Sequence, residues 1–171
     1  MAEPRWLDER EQRAWRSVRE MHRRLGIALE RRLLLDSGLS AADYQVLVPL
    51  SESAEGRLRA RDLARGAGWE KSRLSHQMRR MEQRGLVARE DCPTDARGAY
   101  VRLTPQGRRA IEAAAPGHVD SVRRLLFDVL SPAEVDTLAA LSERVLARIA
   151  EDGADAGCCE APAAGDGPGC G

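Results

Sequence analysis

The sequence predicts a mainly α-helical fold carrying one small β-hairpin, and three observations support that expectation. Apolar residues recur at three- and four-residue intervals over most of the 171 positions. Ser or Thr caps and Gly or Pro breaks separate those stretches at helix-like spacing. The one region that reads as paired strands is short, 86–90 and 99–103, and brackets a segment of loop chemistry. A chain of this length fits one domain and buries roughly 70% of its unfolded surface. No apolar run approaches the roughly 20 residues that a bilayer span needs. The start, MAEPRWLDEREQ, is charged where a signal peptide is apolar. The expectation is a cytoplasmic protein with no membrane partner.

In chain order, residues 8 to about 35 predict one long helix. Val18, Met21, Leu25, Ala28 or Leu29, and Leu33 form its apolar stripe, and Trp15 extends it. Such a helix spans roughly 40 Å, longer than a small core needs, so part of the stripe is expected to meet a second subunit; an ordinary core helix is the alternative. Asp36-Ser37-Gly38 closes it. Ser40 caps the next helix with Asp43 in the capping-box position, and Tyr44, Leu47, Val48 and Leu50 supply its buried face to about Ser53. A short helix from Ala60 to about Arg65 is broken by Gly66-Ala67-Gly68 and followed by a helix from about Glu70 to Arg84. Leu86–Glu90 and Ala99–Leu103 are the strands, with 91–98 as their loop. Thr104-Pro105 restarts a helix, which Pro116-Gly117 is expected to kink or interrupt. Ser131-Pro132-Ala133-Glu134 is a second capping box, opening a stripe of Val135, Leu138, Leu141, Val145 and Ile149. From Gly153 onward the chain has almost no bulky apolar residue, which predicts disorder.

Net charge is zero, but its distribution is uneven. Residues 57–110 carry 14 basic and 6 acidic side chains, against 9 and 10 before them and 4 and 11 after. A basic middle is the footprint of a phosphate-binding surface. Within the 70–84 helix, Leu74, Met78 and Met81 fall on one face. Lys71, Ser72, Arg73, Ser75, His76, Gln77, Arg79 and Arg80 remain polar, most of them hydrogen-bond donors. That is the composition of a helix read into the major groove of double-stranded DNA, where Arg pairs with guanine and Gln with adenine. A solvated amphipathic face is the alternative for the helix in isolation. The short helix before it and the hairpin after it favour the DNA reading. Arg97 near the hairpin tip suits the narrow minor groove, with Asp95 orienting an arginine. The fold class is therefore a winged helix-turn-helix flanked by N- and C-terminal dimerisation helices. The boundaries are 1–39 for the N-terminal dimerisation helix, 40–107 for the DNA-binding lobe, 108–150 for the C-terminal dimerisation helices and 151–171 for a disordered Gly/Ala/Cys tail.

Asp95-Ala96-Arg97-Gly98-Ala99-Tyr100-Val101-Arg102-Leu103-Thr104-Pro105-Gln106-Gly107 resembles the D-x-R-x(3)-V-x-L-T-x-x-G wing signature of the MarR (multiple antibiotic resistance regulator) family. Residues 71–87 resemble that family's recognition helix leading into its first wing strand. The similarity covers roughly residues 8–150. It implies a homodimeric transcription factor, usually a repressor, on a pseudo-palindromic operator, often released by a small phenolic or other lipophilic ligand. The implied cleft lies between the dimerisation helices and the DNA-binding lobe. Trp15, His22, Tyr44 and Trp69 are candidates to border it, although core packing accounts for each equally well.

The other classes are weaker. Cys92, Cys158, Cys159 and Cys170 leave a redox or metal sensor as the alternative, but three of them lie in the tail without histidine. The family's peroxide-sensing branch uses a Cys near the dimer interface, and no Cys precedes position 92 here. His22, His76 and His118 lie in different expected helices with no nucleophile or metal-ligand spacing around them. Neither an enzyme, a cofactor nor a bound metal is expected.

Overall fold

The computed structural model describes residues 3–92 and 95–157, with side chains described for 3–90 and 99–152. The chain divides into two compact units, one up to Leu125 and one from Leu126.

The first unit holds five helices and a three-stranded antiparallel sheet: α1 (Glu9–Ser37), α2 (Ala41–Glu52), β1 (Arg57–Arg59), α3 (Ala60–Ala67), α4 (Lys71–Gln83), β2 (Val87–Cys92), β3 (Asp95–Leu103) and α5 (Pro105–Leu125). Asp8 caps α1 through a reciprocal box with Glu11, and Ser40 caps α2 the same way with Asp43. Each box satisfies two backbone N–H groups that the first turn leaves without intrahelical partners. The core draws Leu33 from α1, Val46, Leu47 and Leu50 from α2, Leu63 from α3, Leu74, Met78 and Met81 from α4, and Ile111 and Ala114 from α5. Val87, Val101 and Leu103 close it from the sheet, alternating with half-buried Tyr100 and Arg102 on the other face. On α2 the buried face is Val46, Leu47 and Leu50, whereas the expected Tyr44 and Val48 are only half-buried.

The structure departs from the sequence-based expectation at three further points. The hairpin is two strands of a three-stranded sheet in the order β1-β3-β2, with Arg57 opposite Arg102 and Arg59 opposite Tyr100. Arg-Leu-Arg is too short and too charged to signal a strand by itself; it becomes one by pairing with β3. The strands also reach further than expected, to Cys92 and from Asp95, with a register shift between Asp91 and Cys92. Finally, α5 runs through Pro116 without interruption. A proline inside a helix removes one hydrogen bond and crowds the turn before it, and Pro116 lies exposed, where that turn can adjust.

The T-x-x-G segment is explained by a close approach. Thr104 Oγ1 donates to Gly85 O at 2.6 Å and accepts from Gly107 N–H at 2.9 Å, joining the start of α5 to the end of α4. Gln106 Nε2 donates to Arg84 O at 3.0 Å. A Cβ on Gly107 would lie 2.0 Å from Leu86 O and 2.9 Å from Leu103 Cδ1, so only glycine fits.

The second unit consists of a 3-10 turn (Phe127–Val129) and α6 (Pro132–Gly157). Glu134 accepts from Ser131 N–H at 2.8 Å and from Ser131 Oγ at 2.7 Å. Only the glutamate half of the expected capping box is made this way, because the hydroxyl donates to the carboxylate. α6 extends through 153–157, where disorder was expected, and the rest of the expected tail, 158–171, lies outside the described residues. No helix among the described residues is long and apolar enough to cross a membrane.

Gly107→Ala is expected to destabilise the first unit by about 2–3 kcal/mol, the upper range for overpacking. Thermal or urea unfolding of the full chain measures it; a variant as stable as the parent contradicts the close approach.

Candidate nucleic-acid interface

The candidate interface is built on α3, a tight turn and α4. Gly68 ends α3 in the left-handed region at φ 64, which costs a residue with a Cβ but not glycine. Its N–H bonds to Arg65 O and that of Trp69 bonds to Ala64 O at 2.8 Å, closing a Schellman turn that aims the chain into α4. Trp69 is buried beneath the start of α4, and the Arg73 guanidinium lies 4.7 Å from its ring centroid.

Leu74, Met78 and Met81 anchor α4 in the core. Lys71, Ser72, Arg73, Ser75, His76, Arg79 and Arg80 are exposed on one side of the helix. Ser75 Oγ donates to Lys71 O at 2.9 Å, which leaves its lone pairs free to accept. Gln77 departs from the expectation. It is only 3% exposed, and its Nε2 donates to Asp43 Oδ1 at 2.7 Å, so it is not available to adenine. At 100° per residue, position 77 falls beside Leu74, Met78 and Met81, and burial there is tolerated because a carboxylate meets the amide.

That carboxylate is the centre of the site. Asp43, 2% exposed, accepts from Ser40 N–H at 2.9 Å, from Gln77, and from Arg84 Nη1 at 2.6 Å. Arg84 Nη2 also donates to Gly38 O at 2.9 Å, and an Arg80 Nη2 hydrogen bond to Gln77 Oε1 continues the chain toward solvent. Burial pushes the Asp43 carboxyl up, but the Ser40 backbone and hydroxyl and the Arg84 guanidinium outweigh it and hold the pKa below its ordinary 3.8. Arg84 and the long-range role of Asp43 were not expected from the sequence. Ser40-x-x-Asp43 reads locally as a cap, and nothing local announces partners 34 and 41 residues away.

The wing residues Asp95 and Arg97 lie on β3, but their side chains are outside those described, as is that of Cys92. Pro93, Thr94, Cys158, Cys159 and Cys170 lie outside the described residues. Among the described residues no His/Cys/Asp/Glu cluster could hold a metal ion.

The four candidate ligand-contacting residues do not converge. Trp15 and His22 are exposed on α1, and Trp69 borders a separate depression with Ala42, Arg73, His76, Gln77 and Arg80. Only Tyr44 lines the cavity of about 400 Å³ formed by α1, α2 and α5, with Gly26, Leu29, Leu33, Val48, Pro49 and His118 among its neighbours. His118, which the sequence does not mark as a site residue, packs 4.4 Å from the Tyr44 ring, and burial lowers its pKa. Its Nδ1 is buried without a hydrogen-bond partner.

A short helix, a tight turn, a donor-rich second helix and a hairpin closing a three-stranded sheet define a winged helix-turn-helix protein. A family model described as MarR family matches residues 37–98. The structure of Sco3205, a MarR family transcriptional regulator from Streptomyces coelicolor, in complex with DNA, is 44% identical, with a TM-score of 0.81 over 84% of this chain and 90% of that one. AbsC, a MarR family transcriptional regulator from the same organism, is 42% identical, with a TM-score of 0.82 over 86% and 99%. The HTH-type transcriptional repressor YetL of Bacillus subtilis (strain 168) is 25% identical over 52% of this chain and 53% of its own. The chain spans about half or less of the length of the curated relatives it matches. It belongs to the MarR family of transcriptional regulators, which are DNA-binding proteins and not enzymes.

Replacing Asp43 by Asn is expected to cost about 2–3 kcal/mol near neutral pH, below the 3–5 of a fully buried pair because Arg84 is 44% exposed. Folding lowers the Asp43 pKa, so its charge contributes fully above 3.8, and that contribution fades as pH falls through the folded value. Urea unfolding of parent and Asp43→Asn between pH 7 and 3 is expected to show a stability gap that narrows below about pH 4. A gap independent of pH contradicts the assignment.

Proposed function

We propose that the chain is a homodimeric repressor that binds a pseudo-palindromic operator in double-stranded DNA. In this reading α4 enters the major groove and the β2–β3 hairpin reaches the adjacent minor groove. The observation that carries the proposal is the exposed face of α4, where Lys71, Ser72, Arg73, Ser75, His76, Arg79 and Arg80 sit together on a helix that Asp43 and the core hold in place. Arg97 is the residue assigned to the minor groove and Asp95 the one that positions it. Likeness to the DNA-complexed Sco3205 and to the repressor YetL supports the reading.

Dimerisation is assigned to residues 1–39 and 108–150. On α1, Trp15, Val18, Met21 and Ile27 are between 47% and 55% exposed, and on α6 Leu141, Val145, Leu146 and Ile149 between 46% and 63%. Apolar stripes of this length left in water mark an association surface, and a second copy supplies matching stripes with two-fold symmetry. Such a dimer contacts half-sites about one DNA turn apart, roughly 34 Å.

The cavity beside Tyr44 and His118 is proposed to take a small lipophilic or phenolic effector. Its volume lies within the roughly 300–1,000 Å³ of small-molecule sites, and the unpartnered Nδ1 offers one polar contact in a mostly apolar lining.

Binding to duplex DNA from immediately upstream of the chain's own coding region is expected to weaken steeply with salt, because neutralised phosphates release counterions. Arg97→Ala is expected to lower affinity and flatten the salt slope while the dimer persists in analytical ultracentrifugation. Salt-insensitive binding, or full affinity without Arg97, contradicts the wing assignment.

A further inference from the structure

Two arginines on the exposed face of α4 are held by groups that are themselves buried. Arg80 donates to Gln77 Oε1, and the Gln77 amide nitrogen donates to Asp43 Oδ1. A guanidinium can only donate and an ionised carboxylate can only accept, so one orientation of the Gln77 amide satisfies both. Arg73 lies over the face of Trp69, itself 9% exposed. Residues 73 and 80 are seven apart, which places them on one side of the helix two turns apart, about 10.5 Å along its axis. At 3.4 Å per base along one strand that is roughly three base steps. A depression of about 410 Å³ bordered by Trp69, Arg73, His76, Gln77 and Arg80 lies between them.

We infer that Gln77, clamped between Asp43 and Arg80, is a positioning residue that sets the pose in which Arg80 reads a base. Trp69 does the same for Arg73, so each half-site is read by two prearranged guanidiniums roughly three base steps apart. The inference rests on the proposed placement of α4 in the major groove. Its physical basis is preorganisation. A free arginine loses rotamer entropy when it binds, whereas one already held by Gln77 or Trp69 loses less and accepts fewer alternative bases. The favoured partner of each is guanine, whose N7 and O6 match the guanidinium fork. Gln77, expected from composition to read adenine, acts without touching DNA.

The test is selection of the full chain against a duplex pool with a randomised 20-base-pair centre, comparing the parent with Gln77→Met, Arg80→Ala and the double variant. Methionine keeps the length and packing of Gln77 but neither hydrogen bond. Arg80→Ala is expected to erase a guanine preference at one position of each half-site. Gln77→Met is expected to weaken that same preference roughly ten-fold, to leave the Arg73 position intact, and to add nothing in the Arg80→Ala background. Trp69→Leu is expected to weaken the second position, and Trp69→Phe, which keeps an aromatic face, to retain it. Asp43→Asn, which preserves the cap, is a second probe of the Arg80 position should Gln77→Met fail to fold. If Gln77→Met lowers affinity for every sequence alike and base preferences are unchanged, Gln77 is merely structural and the inference is overturned while α4 remains the reading helix. If Arg80→Ala leaves all preferences unchanged, the inference and the placement of α4 fall together.

Discussion

The Asp43 carboxylate, almost wholly removed from water, accepts hydrogen bonds from the start of its own helix, from Gln77 inside α4 and from Arg84 at the end of α4, and the placement of α4 depends on that convergence. An ionised group at 2% exposure is costly unless its lone pairs are occupied. Here the donors come from two places, the α1–α2 turn through Ser40 N–H and α4 with its C-cap residue through Gln77 and Arg84. Because Arg84 also donates to Gly38 O, the guanidinium ties the end of α4 to the point where α1 stops. Hydrophobic contact through Leu74, Met78 and Met81 presses α4 onto the core, but apolar contact is not directional. The charged hydrogen bonds add the direction, fixing rotation about the helix axis and therefore which side chains face outward.

A second attachment operates at the sheet. Thr104, Gln106 and Gly107 connect the start of α5 to residues 84–86 at the end of α4, through side-chain hydrogen bonds from Thr104 and Gln106 to backbone carbonyls and the contact of Gly107 with Leu86 O. β3 therefore leaves the sheet directly into a helix that grips the end of α4. α4 and the hairpin share one anchor, which suits their proposed reach into adjacent grooves of one duplex. The cavity beside Tyr44 and His118 lies between α1, α2 and α5, and α2 carries Asp43 at its start. An effector of the proposed kind that moved α2 would therefore act on the carboxylate that orients α4.

Much of this was legible in the sequence because it is local. The Ser40 cap, the Gly68 and Gly85 breaks, the core positions of α4 and the strands around Val87 and Val101 all follow from neighbours a few residues away. What was illegible is non-local. Arg57–Arg59 is a strand only because β3 lies beside it, and no property of Arg-Leu-Arg predicts that partner. Gln77 carries a polar name at a buried helical position, so composition sends it outward while geometry sends it to Asp43. His118 and Tyr44 are 74 residues apart and meet only when α2 and α5 pack. Pro116 was misleading in the opposite sense, since its local rule is strong but an exposed helical position can accommodate it.

DNA contact through the exposed face of α4 and the hairpin, as proposed, is measured by hydrogen exchange of the full chain with and without a duplex from immediately upstream of its own coding region. Such contact adds protection concentrated in residues 69–80 and in the hairpin strands, with the core of α2 unchanged. Protection confined to α1 or α6, with 69–80 exchanging at the rate of the free protein, contradicts it.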